Sequence, residues 1–164
     1  MARSKIKHFK GFSIVDGDIR VTLNMSRFER QFQRAQYQLD GAVMNSMVQF
    51  MPMVTGSFIN ATRAASAAVQ GSGEVYAAYG PQGRFLYEGK TMVDEKTGSA
   101  WARRGAKKVL VSEFGGKTKA KPDLVYTKQA HPKAQSHWFD AAKKKDGKKW
   151  VRGVKETAGG GQRG

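Results

Sequence analysis

Cysteine is absent from this sequence of 164 residues. Its absence excludes a disulfide scaffold, a thiolate metal site and a cysteine nucleophile. Long apolar runs are missing too, because no stretch approaches the roughly 18 apolar residues that a membrane-spanning helix requires. The opening residues, MARSKIKHFK, lack the apolar core of a signal peptide. We therefore expect a chain that is made and used in the cytoplasm, or assembled there into something larger.

Sequence patterns of catalytic chemistry are also missing. The histidines are His8, His131 and His137, and the spacing of the last two, with Pro132 between them, is poor for a metal site. We find no nucleophile elbow and no phosphate-binding P-loop, and residues 71–73 predict only a turn. We therefore expect a protein that is not an enzyme, with no catalytic residue, no metal ligand and no cofactor.

Acidic residues are few, and positive charge dominates. The chain holds 29 Lys and Arg against 13 Asp and Glu, a formal net charge of +16. The second half is the more basic, since residues 91–164 hold 18 basic and 7 acidic groups. Such a field attracts polyanions and acidic protein surfaces and is damped by salt. The charge alone does not decide between two interpretations: a functional anionic partner, or a surface that only keeps the protein soluble.

The first third of the chain predicts a β-hairpin followed by one long helix. Apolar residues alternate with polar ones around Asp16-Gly17, and glycine supplies the backbone conformation of a tight hairpin turn. Ser26 and Glu29 form a capping-box pattern. Apolar residues then recur at helical spacing until Pro52 ends the helix. From this face we expect the core anchors Phe28, Phe32, Leu39 and Phe50.

Shorter elements are predicted over residues 53–89. A turn at residues 53–57 leads into a run of small residues, whose alanines keep a helix open for residues 58–68. Residues 74–79 predict a returning strand. Residues 84–89 predict a short helix closed by glycine.

Residues 90–132 show no periodicity and are rich in Lys, Arg, Gly and Thr. Compact domains seldom contain so long a loop without function or disorder, so we expect a basic loop that becomes ordered against a partner. Ser136 then predicts the cap of a short C-terminal helix, with Trp138 and Phe139 as further core anchors. The predicted fold class is α+β: one long amphipathic helix packed on small antiparallel hairpins, the long basic loop and the short last helix.

The expected organisation is a basic arm over residues 1–11, a single domain over residues 12–155 and a flexible glycine-rich tail over residues 156–164. Several runs of basic residues in the second half of the chain can contact phosphates of a nucleic acid, whatever its base sequence. No sequence motif of a known nucleic-acid-binding fold accompanies them. A non-enzymatic, basic DNA-binding protein therefore stays open as an alternative.

Three stretches of the chain form an ordered set. Met51–Ser57 holds a Pro-x-x-Thr-Gly turn directly after the long helix. Tyr79–Asp94, with its Tyr-x-Gly-Lys, runs into Thr97–Ala102, and His131–Lys143 holds Pro-x-Ala followed by Trp-Phe. In this order they resemble the minor capsid protein family of tailed bacteriophages, which is similar to the neck proteins that connect head and tail. The resemblance covers roughly residues 26–150 and gives no role to the two ends of the chain.

The resemblance implies a virion structural protein, assembled in the host cytoplasm, whose copies form a ring in the phage neck and support head–tail joining. Its implied partners are further copies of itself, the portal, adaptor or head-closure proteins and the tail-terminator protein. Packaged DNA, met through non-specific phosphate contacts, is a further expected partner, and a membrane is not. Cationic and aromatic side chains occur together in this part of the chain, as they do among the anchor residues of interfaces. We therefore expect these residues to contact partners: Arg84, Tyr87, Lys90, Trp101, Arg103 and Arg104.

Overall fold

A computed structural model of the chain describes residues 11–16, 19–101 and 104–159. They form an α+β protein, which confirms the predicted fold class. Its elements, in chain order, are β1 (Phe12–Asp16), β2 (Ile19–Leu23), α1 (Ser26–Val48), α2 (Ser57–Ala68), α3 (Gly83–Glu88), β3 (Met92–Asp94), β4 (Lys108–Leu110), a 3-10 turn (Val111–Glu113) and α4 (Trp138–Ala158).

The chain divides into two compact units. Unit 1 takes the described parts of Met1–Ser46, Arg63–Tyr76 and Ala142–Gly164, and unit 2 takes those of Met47–Thr62 and Ala77–Ala141. The single domain expected over residues 12–155 stays a prediction. The basic arm, apart from residue 11, lies outside the described residues, as do the last five residues of the expected tail.

The hairpin of unit 1 forms as predicted. Strands β1 and β2 pair antiparallel, with Ile14 opposite Val21. Helix α1 begins at Ser26, whose N–H donates a hydrogen bond to Oδ1 of Asn24 at 2.9 Å. It ends at Val48, shortly before the proline that the sequence marks as its stop.

Within unit 1, α4 lies antiparallel to α1. Nε1 of Trp150 donates to Oγ of Ser46 at 3.2 Å, and Oγ1 of Thr157 donates to Oε1 of Gln38 at 2.6 Å. The residue numbers rise along one helix as they fall along the other, so the two helices run in opposite directions. The end of α4 therefore lies beside the middle of α1.

The C-terminal helix is longer than the short one predicted. It spans 21 residues, so residues 156–158 of the expected flexible tail are helical. The residues of this helix that are buried or half-buried recur about every four positions, as an amphipathic helix requires. The many lysines between them make this pattern hard to recognise in the sequence. These positions are Trp138, Ala142, Asp146, Trp150 and Val154.

The structure corrects the expectation for Phe28, which is 48% exposed and not a core anchor. Helix α4 ends beside Gln38, whereas Phe28 lies ten residues earlier on α1, about 15 Å away at the rise of an α-helix. The first turns of α1 therefore extend past the end of α4. Among the other expected anchors on this helix face, Phe50 is buried, while Phe32 and Leu39 are half-buried.

The buried carboxylate of Asp40 shapes the chain that follows α2. Its Oδ2 accepts hydrogen bonds from the N–H groups of Gly71 at 2.7 Å and Gly73 at 3.2 Å, and its Oδ1 accepts from Nε2 of Gln36 at 2.8 Å. Both glycines adopt positive φ, a region that side chains disfavour. One carboxylate thus fixes a turn of two left-handed residues.

The helix that the alanine-rich residues 58–68 left as a possibility is present as α2. The prediction of a strand at residues 74–79 is wrong. Hydroxyl groups of α2 bind the backbone that a strand partner would otherwise bind. In unit 1, Oγ of Ser66 accepts from the N–H of Tyr76 at 3.1 Å. In unit 2, Oγ1 of Thr62 accepts from the N–H of Tyr79 at 3.2 Å.

The predicted irregular loop of residues 90–132 contains a small sheet in unit 2. Strands β3 and β4 pair antiparallel, with the fully buried Val93 opposite Val109. An isolated bridge joins Lys90 to Asp123. Each strand has only three residues, which is too short for an alternating pattern to be visible in the sequence.

Candidate functional site

The second and third stretches that carry the family resemblance meet at Trp138 in unit 2, and the first stretch is joined to the third by a bond between Met51 and His131. The indole is fully buried, and its Nε1 donates a hydrogen bond to the carbonyl of Ala77 at 2.7 Å. Phe58 and Tyr87 contact it edge-to-face, with ring centroids 5.9 and 4.9 Å away. We call this arrangement the Trp138 centre. Phe139, the other expected anchor of α4, is half-buried.

Two hydrogen bonds join the third stretch to the end of the first helix. Nδ1 of His131 lies 2.8 Å from the carbonyl oxygen of Met51. Because a carbonyl oxygen can only accept, Nδ1 carries the proton. The N–H of Gln135 donates to the carbonyl of Phe50 at 3.0 Å. The segment before α4 is thus held against the residues where α1 ends.

His137 joins the third stretch to the second. Its N–H donates to the carbonyl of Tyr87 at 2.9 Å, and its ring lies edge-on to the Tyr87 ring at 5.1 Å. Its φ of 48° is rare for a residue with a side chain. This corner redirects the chain into α4, so His137 serves the packing of the Trp138 centre.

The glycine of the Tyr-x-Gly-Lys motif in the second stretch, Gly89, is required for two separate reasons. Gly89 closes α3 with φ of 72°, and its N–H donates to the carbonyl of Phe85. A Cβ on Gly89 would also lie 3.1 Å from Cβ of Ser136 and 3.2 Å from the hydroxyl of Tyr126. The hydroxyl of Tyr126 in turn donates to the carbonyl of Leu86.

Two tyrosines of this region hold their protons more firmly than usual. Burial raises the pKa of Tyr87, and the negative charges of Asp140 and Glu88 raise that pKa further. Burial alone raises the pKa of Tyr126. Both hydroxyl groups are therefore neutral donors at physiological pH.

The expected contact residues do not all share one environment. Arg84, Lys90, Trp101 and Arg104 are exposed, and Lys90 pairs with Asp123 at 2.7 Å. Tyr87 is half-buried against Trp138, so its ring serves the packing of unit 2. Arg103 lies outside the described residues.

A hydrogen-bonded turn, which the sequence did not reveal, leads to Trp101. Oδ1 of the buried Asp94 accepts from the N–H groups of Lys96 and Thr97, both at 2.9 Å. The carbonyl of Gly98 accepts from the hydroxyl of Thr118 at 2.6 Å. The turn is therefore fixed at both ends, although the Trp101 side chain beyond it is 90% exposed.

The described residues offer grooves and exposed side chains and show no ion-binding cluster. A groove of about 440 Å³ in unit 1 lies between α1 and α4, and a pocket of about 560 Å³ in unit 2 is lined by apolar side chains of α3 and β3. No group of three His, Asp or Glu side chains in the described ranges is placed to hold a metal ion. None of the described helices combines the length and the apolarity needed to cross a membrane.

The described residues form an α+β protein with a packed aromatic centre, grooves and exposed apolar side chains. Comparisons with protein-family models, with curated proteins and with solved structures find no match. The likeness to phage minor capsid proteins therefore depends on the residues of this sequence, and its functional content is a proposal.

Proposed function

We propose that this protein is a structural component of the neck of a tailed bacteriophage. Several copies form a ring between the portal and head-closure proteins and the tail, and they support head–tail joining. The observation that carries the proposal is the order of the three stretches, together with the contacts that join the third stretch to each of the other two.

The contacts among the stretches support the proposal because short motifs that match by coincidence have no physical reason to meet. Here Met51 of the first stretch accepts a bond from His131 of the third, and Tyr87 of the second accepts one from His137 of the third. The resemblance is thus one of interacting residues, which fits a shared local structure better than scattered identity does.

The exposed surface suits a protein that works through its neighbours. Trp101 and five residues of the β-hairpin present large apolar side chains to solvent. Such surfaces mark interaction sites when they are contiguous. A strong positive charge favours acidic neighbours or DNA on the axis of a ring.

Electron microscopy of lysates tests the proposal, using a phage that carries this gene in disabled form. We expect DNA-filled or leaking heads separate from complete tails, and joined particles when the intact gene is supplied from a plasmid. A plasmid carrying the gene with an early stop codon is the matched control. Joined, infectious particles without the protein would reject the neck role.

One observation favours a second candidate function, non-specific DNA binding. The exposed indole of Trp101 lies close in sequence to Arg104, Lys107 and Lys108, which are also exposed. Exposed aromatic rings stack on bases and cations contact phosphates, a combination found in single-strand binding. If 6–10 phosphates are contacted, affinity falls by about 10³–10⁵ between 50 and 200 mM salt. Absence of binding at physiological salt would reject this alternative.

A further inference from the structure

One face of the β-hairpin in unit 1 is apolar and exposed. Because paired residues of an antiparallel ladder share a face, as do alternate residues of a strand, four apolar side chains lie together. Their exposed fractions are 56% for Ile14, 68% for Ile19, 54% for Val21 and 43% for Leu23. The opposite face holds Ser13 and Thr22, whose hydroxyls are 3.2 Å apart, together with Arg20 and the exposed Val15.

A two-stranded hairpin of this kind is marginal in water by itself. Among the described residues, nothing covers its apolar face in the way that a second layer normally covers an amphipathic sheet. The exposed ring of Phe28, in the first turns of α1, lies close to it in sequence. The hairpin therefore carries a surface that becomes stable when another molecule covers it.

The same unit holds a groove of suitable chemistry. Helices α1 and α4 line a space of about 440 Å³, with Leu39, Ala42, Trp150 and Val154 among its walls. Gly153 also lines the groove, and a Cβ added there would meet nothing within 4 Å. The groove is thus open at the centre of α4.

The groove and the hairpin of one chain do not meet. Ile14, Val21 and Leu23 of the hairpin are exposed, and the described residues leave the groove open. Only Asn24 and Met25 connect β2 to the start of α1, and this short link holds the hairpin at the end of α1 that extends past α4. A second chain is therefore needed to bring the two surfaces together.

Charge selects a second copy as the occupant. The segment of residues 12–23 holds Asp16 and Asp18 against Arg20 alone, so it is slightly negative in a chain of net charge +16. Residues 143–155 of α4 hold seven basic residues against one acidic residue, and of these Lys149 and Asp146, which pair with each other at 3.4 Å, line the groove itself. Two copies repel each other over most of their surfaces, whereas this pairing brings a slightly negative segment to a strongly positive helix.

We propose that the hairpin of one copy docks, apolar face down, in the α1–α4 groove of the next copy. The contact joins two different surfaces, so it is head-to-tail, and repeated contacts of this kind close a ring when the rotation allows. The inference rests on the proposed ring and names the surfaces that hold it together.

A cross-linking experiment tests the contact directly, because the natural chain has no cysteine to react elsewhere. One full-length protein carries Val21→Cys and a second, distinguished by an affinity tag, carries Gly153→Cys. The two are mixed and treated with a short bis-maleimide. We expect the product that joins Val21→Cys to Gly153→Cys to form in the mixture and to exceed the products of either protein alone.

Two outcomes would overturn the proposal. A dominant product between two Val21→Cys chains would mean that hairpins pair with each other symmetrically. No product beyond that of a mixture in which Val151→Cys, an exposed α4 residue outside the groove lining, replaces Gly153→Cys would mean that the hairpin does not dock in the groove.

Two further variants separate docking from folding. Gly153→Leu adds a side chain where a Cβ would meet nothing within 4 Å, and it replaces glycine within a helix, so the chain is expected to fold while association is lost. Val21→Lys is expected to raise the dissociation constant between copies about tenfold or more, whereas Thr22→Lys leaves it within about twofold. Sedimentation velocity measures both constants, and equal effects of the two lysines would contradict docking through the apolar face.

Failure of this contact and failure of the neck role give different results. Separate heads and tails without the gene, together with no mixed cross-link, would reject the hairpin contact and leave the neck role. Joined particles without the gene would reject the neck role even where the mixed cross-link forms.

Discussion

The ring of Tyr87 meets that of Trp138 edge-to-face, with centroids 4.9 Å apart and planes at 87°. The two residues belong to different stretches of the family-like set, and their contact joins α3 to the first turn of α4. Aromatic pairs of this geometry contribute about 0.5–1.5 kcal/mol beyond the area that they bury. The pair thus stabilises the centre on which the functional proposal depends.

Replacing Trp138 by alanine is expected to destabilise the protein by about 3–5 kcal/mol, as large-to-small changes in a core do. The fully buried indole leaves a cavity, and the carbonyl of Ala77 loses its donor. Denaturant unfolding measures the change. Trp138→Phe serves as the control, because it keeps an aromatic ring, and we expect a clearly smaller loss. An unchanged unfolding midpoint in Trp138→Ala would contradict the account of the centre.

Asp40→Ala is expected to cost about 2–4 kcal/mol, since each buried donor left without an acceptor costs about 1–3 kcal/mol. The N–H groups of Gly71 and Gly73 both depend on this carboxylate. Asp123→Ala is the matched control, because its carboxylate is 75% exposed and binds only the exposed Lys90 in the described structure. We expect the control to lie within about 0.5 kcal/mol of the natural protein. Equal losses in the two variants would contradict the role of Asp40.

Gly98→Ala is expected to destabilise the protein more than Gly80→Ala. Both glycines have positive φ, which costs a residue with a side chain about 1–2 kcal/mol. A Cβ at Gly98 would also clash with the ring of Phe114, whereas a Cβ at Gly80 would meet nothing within 4 Å. The difference in unfolding free energy isolates the clash, which we expect to add about 1–3 kcal/mol. No difference would contradict the close packing of this turn.

Alkaline pH is expected to reduce stability through Tyr87 and Tyr126. Their pKa values are raised above the ordinary 10.0, so the folded protein binds these protons more tightly than the unfolded chain does. The resulting stability is fully present below pH 10 and is lost as pH rises through the raised values. Absorbance titration of the natural protein against Tyr126→Phe measures the late-ionising hydroxyl. A difference titration centred at or below pH 10 would contradict burial of Tyr126.

Much of the fold was accessible from the sequence because local signals agree there. The alternation around Asp16 and the stop at Pro52 predict the hairpin and α1. Phe28 shows the limit of such reasoning, because helical periodicity finds an apolar face but not the point where the covering helix ends. The strand predicted at residues 74–79 failed because Ser66 and Thr62 bind its backbone, and these partners are distant in sequence.

The candidate site was less accessible. The sequence shows the three stretches in order but not their contacts with each other, which depend on bonds between distant residues, such as that of the His131 ring to the carbonyl of Met51. The groove was missed because Gly153 and the lysines around it carry no periodic signal, although the stripe from Ala142 to Val154 could have revealed it. The apolar hairpin face was visible in the alternation, but its exposure is a property of the folded chain.

The most direct test of the neck role is to locate the protein in mature particles. A phage is built whose copy of this gene carries a short tag after Gly164, and gold-labelled antibody against the tag is imaged on intact virions and on virions opened by mild denaturant. We predict gold at the head–tail junction of particles that carry the tag, and none there on particles without it. Gold confined to the capsid shell or the tail tip, or no gold on any particle while the tagged protein is made in the cell, would contradict the account.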